Sequence, residues 1–209
     1  MIFNDRIAAA EKLAQALSEY RGKNPLVLAI PRGSVPMAKL IAEQLQGEMD
    51  VVLVRKLGAP GNPEFAIGSV DESGWVYLTE YAAKAGADDL YVQREVAAQM
   101  ETMRRRRAQY TPERPPVDPA GRIVIVIDDG LATGSTMIAA LHALRNRKPE
   151  QLICAVPVAP PETIQKLQDK ADRIVCLSAP ADFYAVGQFY RDFPQVSDDE
   201  VIACLGTAT

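Results

Sequence analysis

Two adjacent carboxylates, Asp128 and Asp129, stand where a run of five β-branched apolar residues, Ile123-Val124-Ile125-Val126-Ile127, gives way to Gly130-Leu131-Ala132-Thr133-Gly134-Ser135-Thr136. The two glycines permit a tight turn and the close approach of a ligand. Thr133, Ser135 and Thr136 add hydroxyl donors. An apolar pattern at helical spacing then begins with Met137, Ile138, Leu141 and Leu144. The free N–H groups at its start, near Ser135, attract an anion. These parts make a phosphate cup. The acids beside it would repel a phosphate, but they suit hydroxyl groups, a divalent cation or a developing positive charge. A ligand with a phosphate at one end and a diol in the middle satisfies both halves.

The elements that must position this loop follow from the same pattern. A continuous β-branched run reads as a strand buried on both faces, as in a parallel sheet. Strand, loop and helix then follow in order, with the loop at the carboxyl end of the strand, where open α/β sheets bind ligands. An ordinary βα turn with a serine cap accounts for the glycines and hydroxyls, but not for two adjacent acids. Other phosphate motifs fail: the Gly22-Lys23 pair is followed by Asn24 and not by the Ser or Thr of a P-loop, and no Gly-x-Gly-x-x-Gly occurs.

Two further stretches carry cations at strand ends. The buried strand Pro25 to Ile30 runs into Pro31-Arg32-Gly33-Ser34-Val35-Pro36, followed by the helical pattern of Met37, Leu40, Ile41 and Leu45. A third strand, Asp50 to Arg55, ends in Arg55-Lys56. Taken alone, the first is equally a plain βα turn with a surface arginine, and the second a solvated strand end.

The stretch Val124 to Thr136 resembles the phosphoribosyl-pyrophosphate (PRPP) binding motif of the type I phosphoribosyltransferases: an apolar strand, two acids, then a loop ending Thr-Gly-x-Thr. The resemblance implies an α/β fold, a doubly wound, mainly parallel sheet between helices with a hood segment. It implies Mg²⁺-dependent transfer of the 5-phosphoribosyl group from PRPP to an acceptor nitrogen, a base or an amine, with release of pyrophosphate. Asp128 and Asp129 would be the catalytic acids, accepting bonds from the ribose hydroxyls and holding Mg²⁺ through those hydroxyls or water. Gly130, Leu131, Ala132, Thr133, Gly134, Ser135 and Thr136 would hold the 5-phosphate. Arg32, Gly33, Ser34, Arg55 and Lys56 would hold the pyrophosphate. A related group of members carries Pro-Arg-Gly-Gly in the first loop, and this chain has Ser34 at the second glycine. If that position needs a positive φ, serine costs about 1–3 kcal/mol there.

Residues 57 to 69, rich in Gly and Pro and without helical periodicity, read as a mobile loop. The resemblance makes the segment 56–70 a lid that keeps water from an activated sugar. It also makes 179–209 a hood and C-terminal helix, with Phe183 and Tyr184 against the acceptor. Members that use 6-oxopurines carry an Asp where this chain has Ala132. The implied partners are PRPP and a small-molecule acceptor, with room for a homodimer. The alternative is a PRPP-sensing regulator on the same fold, which would lack turnover. A hydrolase or phosphatase using the two acids on a metal lacks the further ligands it would need.

The rest of the chain reads as scaffold. Residues 4 to 21 form an amphipathic helix with Phe3, Ile7, Ala10, Ala14 and Leu17 on one stripe, and show no chemistry. Short strands 66–70 and 75–79 precede a helical insertion, 82–110, whose long helix runs from 88 to 110. Arg104 to Arg107 read as its solvated end. A proline-bearing linker, 110–119, leads to the central strand. A strand at 151–156, a helix at 161–170 and a strand at 173–177 complete the sheet. Phe183, Tyr184, Phe189, Tyr190 and Phe193 make 179–195 aromatic, and Ser197 to Glu200 is a capping box. All 209 residues fit one domain.

Composition bounds the partners. A formal net charge of −4 argues against nucleic acid. No apolar run approaches the ~20 residues of a membrane span, and the N-terminus lacks a signal peptide's pattern. Three scattered cysteines, Cys154, Cys176 and Cys204, read as small core residues of a cytoplasmic protein. The single His142 supports no metal cluster and reads as packing.

Overall fold

The computed structural model describes residues 1–206, without the side chain of Glu64. The chain runs α1 (Arg6–Ala16), β1 (Leu26–Ala29), α2 (Val35–Leu45), β2 (Glu48–Val51), β3 (Val54–Ala59), β4 (Asn62–Asp71), β5 (Val76–Leu78), α3 (Asp89–Tyr110), β6 (Ile123–Ile127), α4 (Ser135–Arg145), β7 (Gln151–Val158), α5 (Pro161–Leu167), β8 (Arg173–Ser178) and α6 (Asp198–Gly206). Two sheets result. One is five-stranded and wholly parallel in the order β2-β1-β6-β7-β8; the other is β3-β4-β5, antiparallel.

The motif strand β6 is the middle of the parallel sheet, and it is apolar throughout because both faces are covered. Val27, Ala29, Ile125 and Ile127 pack into one core with Leu13 of α1, Ile41 of α2 and Val201 of α6. Leu26, Leu28, Val124 and Val126 pack into the other with Met137 and Leu141 of α4 and Leu167 of α5. Helices on both faces of a parallel sheet are the expected doubly wound arrangement. The β1–β6 register pairs Ala29 with Ile127, so the loops after these two strands leave the sheet side by side.

Four expectations need correction. The N-terminal helix begins at Arg6, where the Asp5 side chain caps the Ala8 N–H at 2.7 Å, and it ends at Ala16 before a 3-10 turn, Ser18–Tyr20. Ala9, Ala10, Leu13, Ala14 and Leu17 face the core, while Ile7 lies exposed.

The expected strand Asp50 to Arg55 is two strands in different sheets, β2 and β3, with the break at Val52-Leu53. Segment 57–69 is no irregular loop but most of a hairpin, β3–β4, turning at Pro60-Gly61. The register shifts around Gly58, and Gly58 and Gly68 sit where a Cβ would lie 2.7 Å from Pro63 Cα and 2.2 Å from Tyr77 O. The glycines that read as breakers are there because neighbouring backbone comes close. Leu57, Ala59, Ile67 and Val70 supply the buried positions.

The arginine run is not uniformly solvated. Arg107 is buried and donates from Nη1 to Asp50 at 2.9 Å, from Nη2 to Glu72 at 2.6 Å and from Nη2 to Val51 O at 2.9 Å. This network pins α3 to both sheets. At the same end of α3, Tyr110 donates its hydroxyl to Asp198 at 2.7 Å, reaching α6.

The hood segment is tied to the N-terminus. Phe3 N–H donates to Phe189 O at 2.8 Å and Arg191 N–H donates to Phe3 O at 2.9 Å. The capping box is formed: Ser197 N–H donates to Glu200 Oε2 at 2.7 Å, and Glu200 N–H donates to Ser197 Oγ at 3.2 Å. The last three residues of the expected 179–209 segment lie outside the described residues. His142 packs on Tyr77, with ring centroids 4.3 Å apart. Among the described residues no helix is long and apolar enough to cross a membrane.

Candidate active site

The loop after β6 takes the shape its composition demands. Gly134 is the N-cap of α4 with φ of 74°, and a Cβ there would meet Thr163 Cγ2 at 2.7 Å, so both conformation and space call for glycine. The helix starts at Ser135, whose hydroxyl lies 2.9 Å from that of Thr133. Two bonds anchor the loop from below: Leu131 N–H to Val158 O at 3.0 Å and the Thr163 hydroxyl to Ala132 O at 2.6 Å. Leu131 itself is a buried core residue, so its side chain is an anchor rather than part of the cup. Ala132 and Thr133 are exposed, and Ser135 and Thr136 are half-buried at the helix start.

The acidic pair sits between this cup and the first loop. Asp128 accepts the Asp129 N–H at 2.9 Å. Asp129 Oδ2 is paired with Arg6 Nε at 2.9 Å, and the Tyr190 hydroxyl donates to Asp129 O at 2.6 Å. Burial, and then the Asp129 charge, push the Asp128 carboxyl well above the usual carboxylate range. Burial also raises Asp129, against the opposing pull of its bond to Arg6. Two desolvated carboxylates on adjacent residues favour a ligand that brings donors or positive charge.

The first loop abuts the pair directly. A Cβ on Gly33 would fall 2.1 Å from Asp129 Oδ2, so only glycine allows the two loops to touch. The Pro31–Arg32 peptide is cis. Ser34 has φ of −82°, an ordinary right-handed conformation, so the strain expected there is absent. Its hydroxyl is buried and donates to Ile30 O at 2.6 Å, fixing the turn instead of facing a ligand. Arg32 points toward Asp198, 3.7 Å away.

Arg55 and Lys56 do not end a strand of the parallel sheet; they lie within β3. They nevertheless line a cavity of about 440 Å³ together with Pro31 of the first loop and Thr136 of the cup. Arg55 Nε donates to Gln99 of α3 at 2.9 Å. The tertiary structure thus gathers residues from all three loops.

The aromatic segment behaves differently from expectation. Phe183 packs on Phe189, with ring centroids 5.0 Å apart, as part of a small core, and Tyr184 is 90% exposed. Phe193 and Tyr190 take the place beside the acids instead: Phe193 stacks on Tyr190 at 4.8 Å and lies 3.7 Å beneath the Arg6 guanidinium. Arg6 Nη1 also donates to Pro194 O at 2.6 Å, linking the hood to Asp129.

A family model for the phosphoribosyl transferase domain matches residues 2–194. The chain belongs to the phosphoribosyl transferase family. A Mycobacterium tuberculosis protein named "putative phosphoribosyl transferase" is 40% identical over 208 residues, covering 99% of this chain and 47% of that protein. The chain therefore spans about half the length of the curated relatives it matches first. A uracil phosphoribosyltransferase of Streptococcus salivarius is 30% identical over 167 residues, 79% of this chain and 70% of its own. The crystal structure of TT1426 from Thermus thermophilus matches with a TM-score of 0.89 at 47% identity, covering 98% of each chain.

In this phosphoribosyl transferase family member, sequence reasoning missed Arg6, Tyr190 and Phe193 at the acidic pair, and Gln99 and Arg106 at the cavity. Arg6 stands 123 residues from Asp129, and no local spacing links them. A detectable signal lay in α1 itself: Arg6 opens an otherwise apolar stripe at the first helical position, where a cation is unfavourable to the helix dipole and needs a partner elsewhere.

Proposed function

We propose that this chain transfers the 5-phosphoribosyl group from PRPP to the nitrogen of a small heterocyclic base or amine, releasing pyrophosphate. One observation carries the reading: an anion cup, Thr133 to Thr136, and a desolvated acid pair, Asp128 and Asp129, share one loop at the carboxyl end of the central strand. The cup takes the 5-phosphate. The carboxylates accept the ribose hydroxyls and favour the positive charge that develops on the sugar as the leaving group departs, an oxocarbenium-like state. Gly33, the Arg32 turn, Arg55 and Lys56 take the pyrophosphate, and the β3–β4 hairpin is the lid.

The residues fit Mg²⁺. Among the described residues there is no cluster of three or more metal-binding side chains, so no all-protein cage is built. Magnesium rarely needs one: it keeps several waters and uses one or two carboxylates plus substrate phosphates. Asp128 and Asp129 would hold it through ribose hydroxyls or water, and it would neutralise pyrophosphate charge. Free thiols at Cys154 and Cys176 accord with a reducing cytoplasm.

The acceptor is not a 6-oxopurine. Ala132 lacks the carboxylate that would handle the purine N7 proton, and relatives named uracil phosphoribosyltransferase favour a pyrimidine-sized ring. A pyrophosphate-release screen with PRPP, Mg²⁺ and a panel of bases and amines tests the reading. Acceptor-dependent release supports it. PRPP binding with no release from any acceptor overturns transfer in favour of a PRPP sensor.

A further inference from the structure

The long helix α3 supplies a wall of the cavity that holds Arg55 and Lys56, through Glu95, Gln99, Thr102 and Arg106. Its four consecutive arginines have different surroundings. Arg104 and Arg105 stand in solvent, 72% and 73% exposed, within 3.9 and 3.7 Å of Glu101. Arg107 is buried on Asp50 and Glu72. Arg106 alone of the four is half-buried at the cavity, and among the described residues no carboxylate pairs with it.

The cavity is therefore cationic. Arg55, Lys56 and Arg106 face it against one described carboxylate, Glu95, and that carboxylate is occupied by the Gln99 side-chain amide at 2.8 Å. Gln99 in turn accepts from Arg55, so the chain Glu95–Gln99–Arg55 ties β3 to the helix. Arg106 also stands on the Arg32 side of the site. The Tyr110 hydroxyl, its pKa pushed up to about 12 by burial and its bond to Asp198, feels the charges of both guanidiniums. Thr136 of the cup and Pro31 of the first loop share the same cavity, so an anion held there lies within one substrate's length of the 5-phosphate cup. An unpaired, half-desolvated guanidinium gains most from a phosphate, which it can engage with two N–H donors.

We propose that Arg106 is a pyrophosphate-binding residue, forming with Arg55 and Lys56 the outer wall of the leaving-group site. The inference rests on the PRPP reading above and extends it to a helix outside the three loops of the motif. It also accounts for α3: the Arg107 network fixes the helix to both sheets and so holds Arg106 at the cavity.

The test compares the full-length chain with Arg106→Ala, Arg106→Lys and Arg104→Ala by titration calorimetry, using pyrophosphate with Mg²⁺ and, separately, ribose 5-phosphate. Arg106→Ala should weaken pyrophosphate by about tenfold or more, the loss of one charge-assisted contact. Ribose 5-phosphate affinity should stay unchanged, Arg106→Lys should recover part of the loss, and Arg104→Ala should match the parent. Unchanged pyrophosphate affinity in Arg106→Ala, while the parent binds both ligands, overturns the role of Arg106 alone. Equal weakening of both ligands also overturns it, because that pattern marks a general distortion. A parent chain that binds neither ligand overturns the PRPP reading and this inference with it.

Discussion

Arg6, at the first position of the first helix, places its Nε 2.9 Å from Oδ2 of Asp129, at the end of the central strand, and both side chains are largely withdrawn from water. The guanidinium also rests on Phe193 and donates to Pro194 O, so one side chain connects α1, the acidic pair and the hood. A buried carboxylate next to another buried carboxylate is costly, and Arg6 offsets that cost.

Arg6→Ala should destabilise the protein by roughly 2 kcal/mol or more, because it leaves Asp129 desolvated beside Asp128 without its counter-charge. Asp129→Asn in the same background should recover much of that loss, a coupling that denaturant unfolding of the two single variants and the double variant measures. Asp129→Asn alone should lower kcat about a hundredfold or more through lost transition-state electrostatics. Unchanged turnover with a verified acceptor would remove Asp129 from the mechanism.

Asp128→Asn should stabilise the metal-free protein at neutral pH. Asp128 is raised by burial, so its folded-state pKa lies above the unfolded value near ~4. Between those two values the folded chain binds the extra proton, and stability falls as pH rises through that window. Asparagine removes the ionisation and keeps an oxygen for the Asp129 N–H. Melting temperatures across pH, in chelator, should show the variant ahead at pH 7 and the advantage gone below about pH 4. A variant less stable at every pH would contradict the assigned direction.

Arg107→Ala should cost roughly 2–3 kcal/mol, since it leaves Asp50, a carboxylate only 1% exposed, with Arg114 at 3.2 Å as its remaining guanidinium and takes both guanidinium bonds from Glu72. Arg104→Ala on the same helix should stay within about 0.5 kcal/mol. Urea unfolding midpoints distinguish the two, and equal effects would mean that the Asp50–Arg107–Glu72 network holds nothing.

The hairpin tip around Pro60-Gly61 should exchange its amides quickly in the free protein and slow when PRPP and Mg²⁺ are added. Its residues 61 to 63 are exposed, while Leu57 and Ile67 anchor its base in the core. A hairpin anchored at its base has its least protected amides at the exposed end, and a lid would close by bending there. Identical exchange rates with and without ligand would count against a lid.

Hypoxanthine and guanine should be poor acceptors. Ala132 is exposed at the rim of the cup and has no proton acceptor in its side chain, and the loop carries no acid after Asp129. A kcat/KM of about 10⁴ M⁻¹s⁻¹ or more with either purine would show that another group supplies the base.

The sequence by itself determined the strand, loop and helix from Ile123 to Leu144, because that signal is local. Apolar β-branched residues demand two covered faces, and glycines and hydroxyls at a helix start demand an anion. It also determined the parallel sheet, since strands and helices alternate along the chain. It misjudged residues 57 to 69, because glycine marks both a loop and a close approach of strands, and only the pairing partner tells them apart. Arg104 to Arg107 were likewise indistinguishable as letters: helix rotation sends successive side chains about 100° apart, so solvent, cavity and core each receive a different one. The tertiary structure alone decided that Arg6 meets Asp129 and that Phe193, not Tyr184, lies beside the acids, because contacts across more than a hundred residues, or between a loop and a distant helix, leave no periodic trace in the chain.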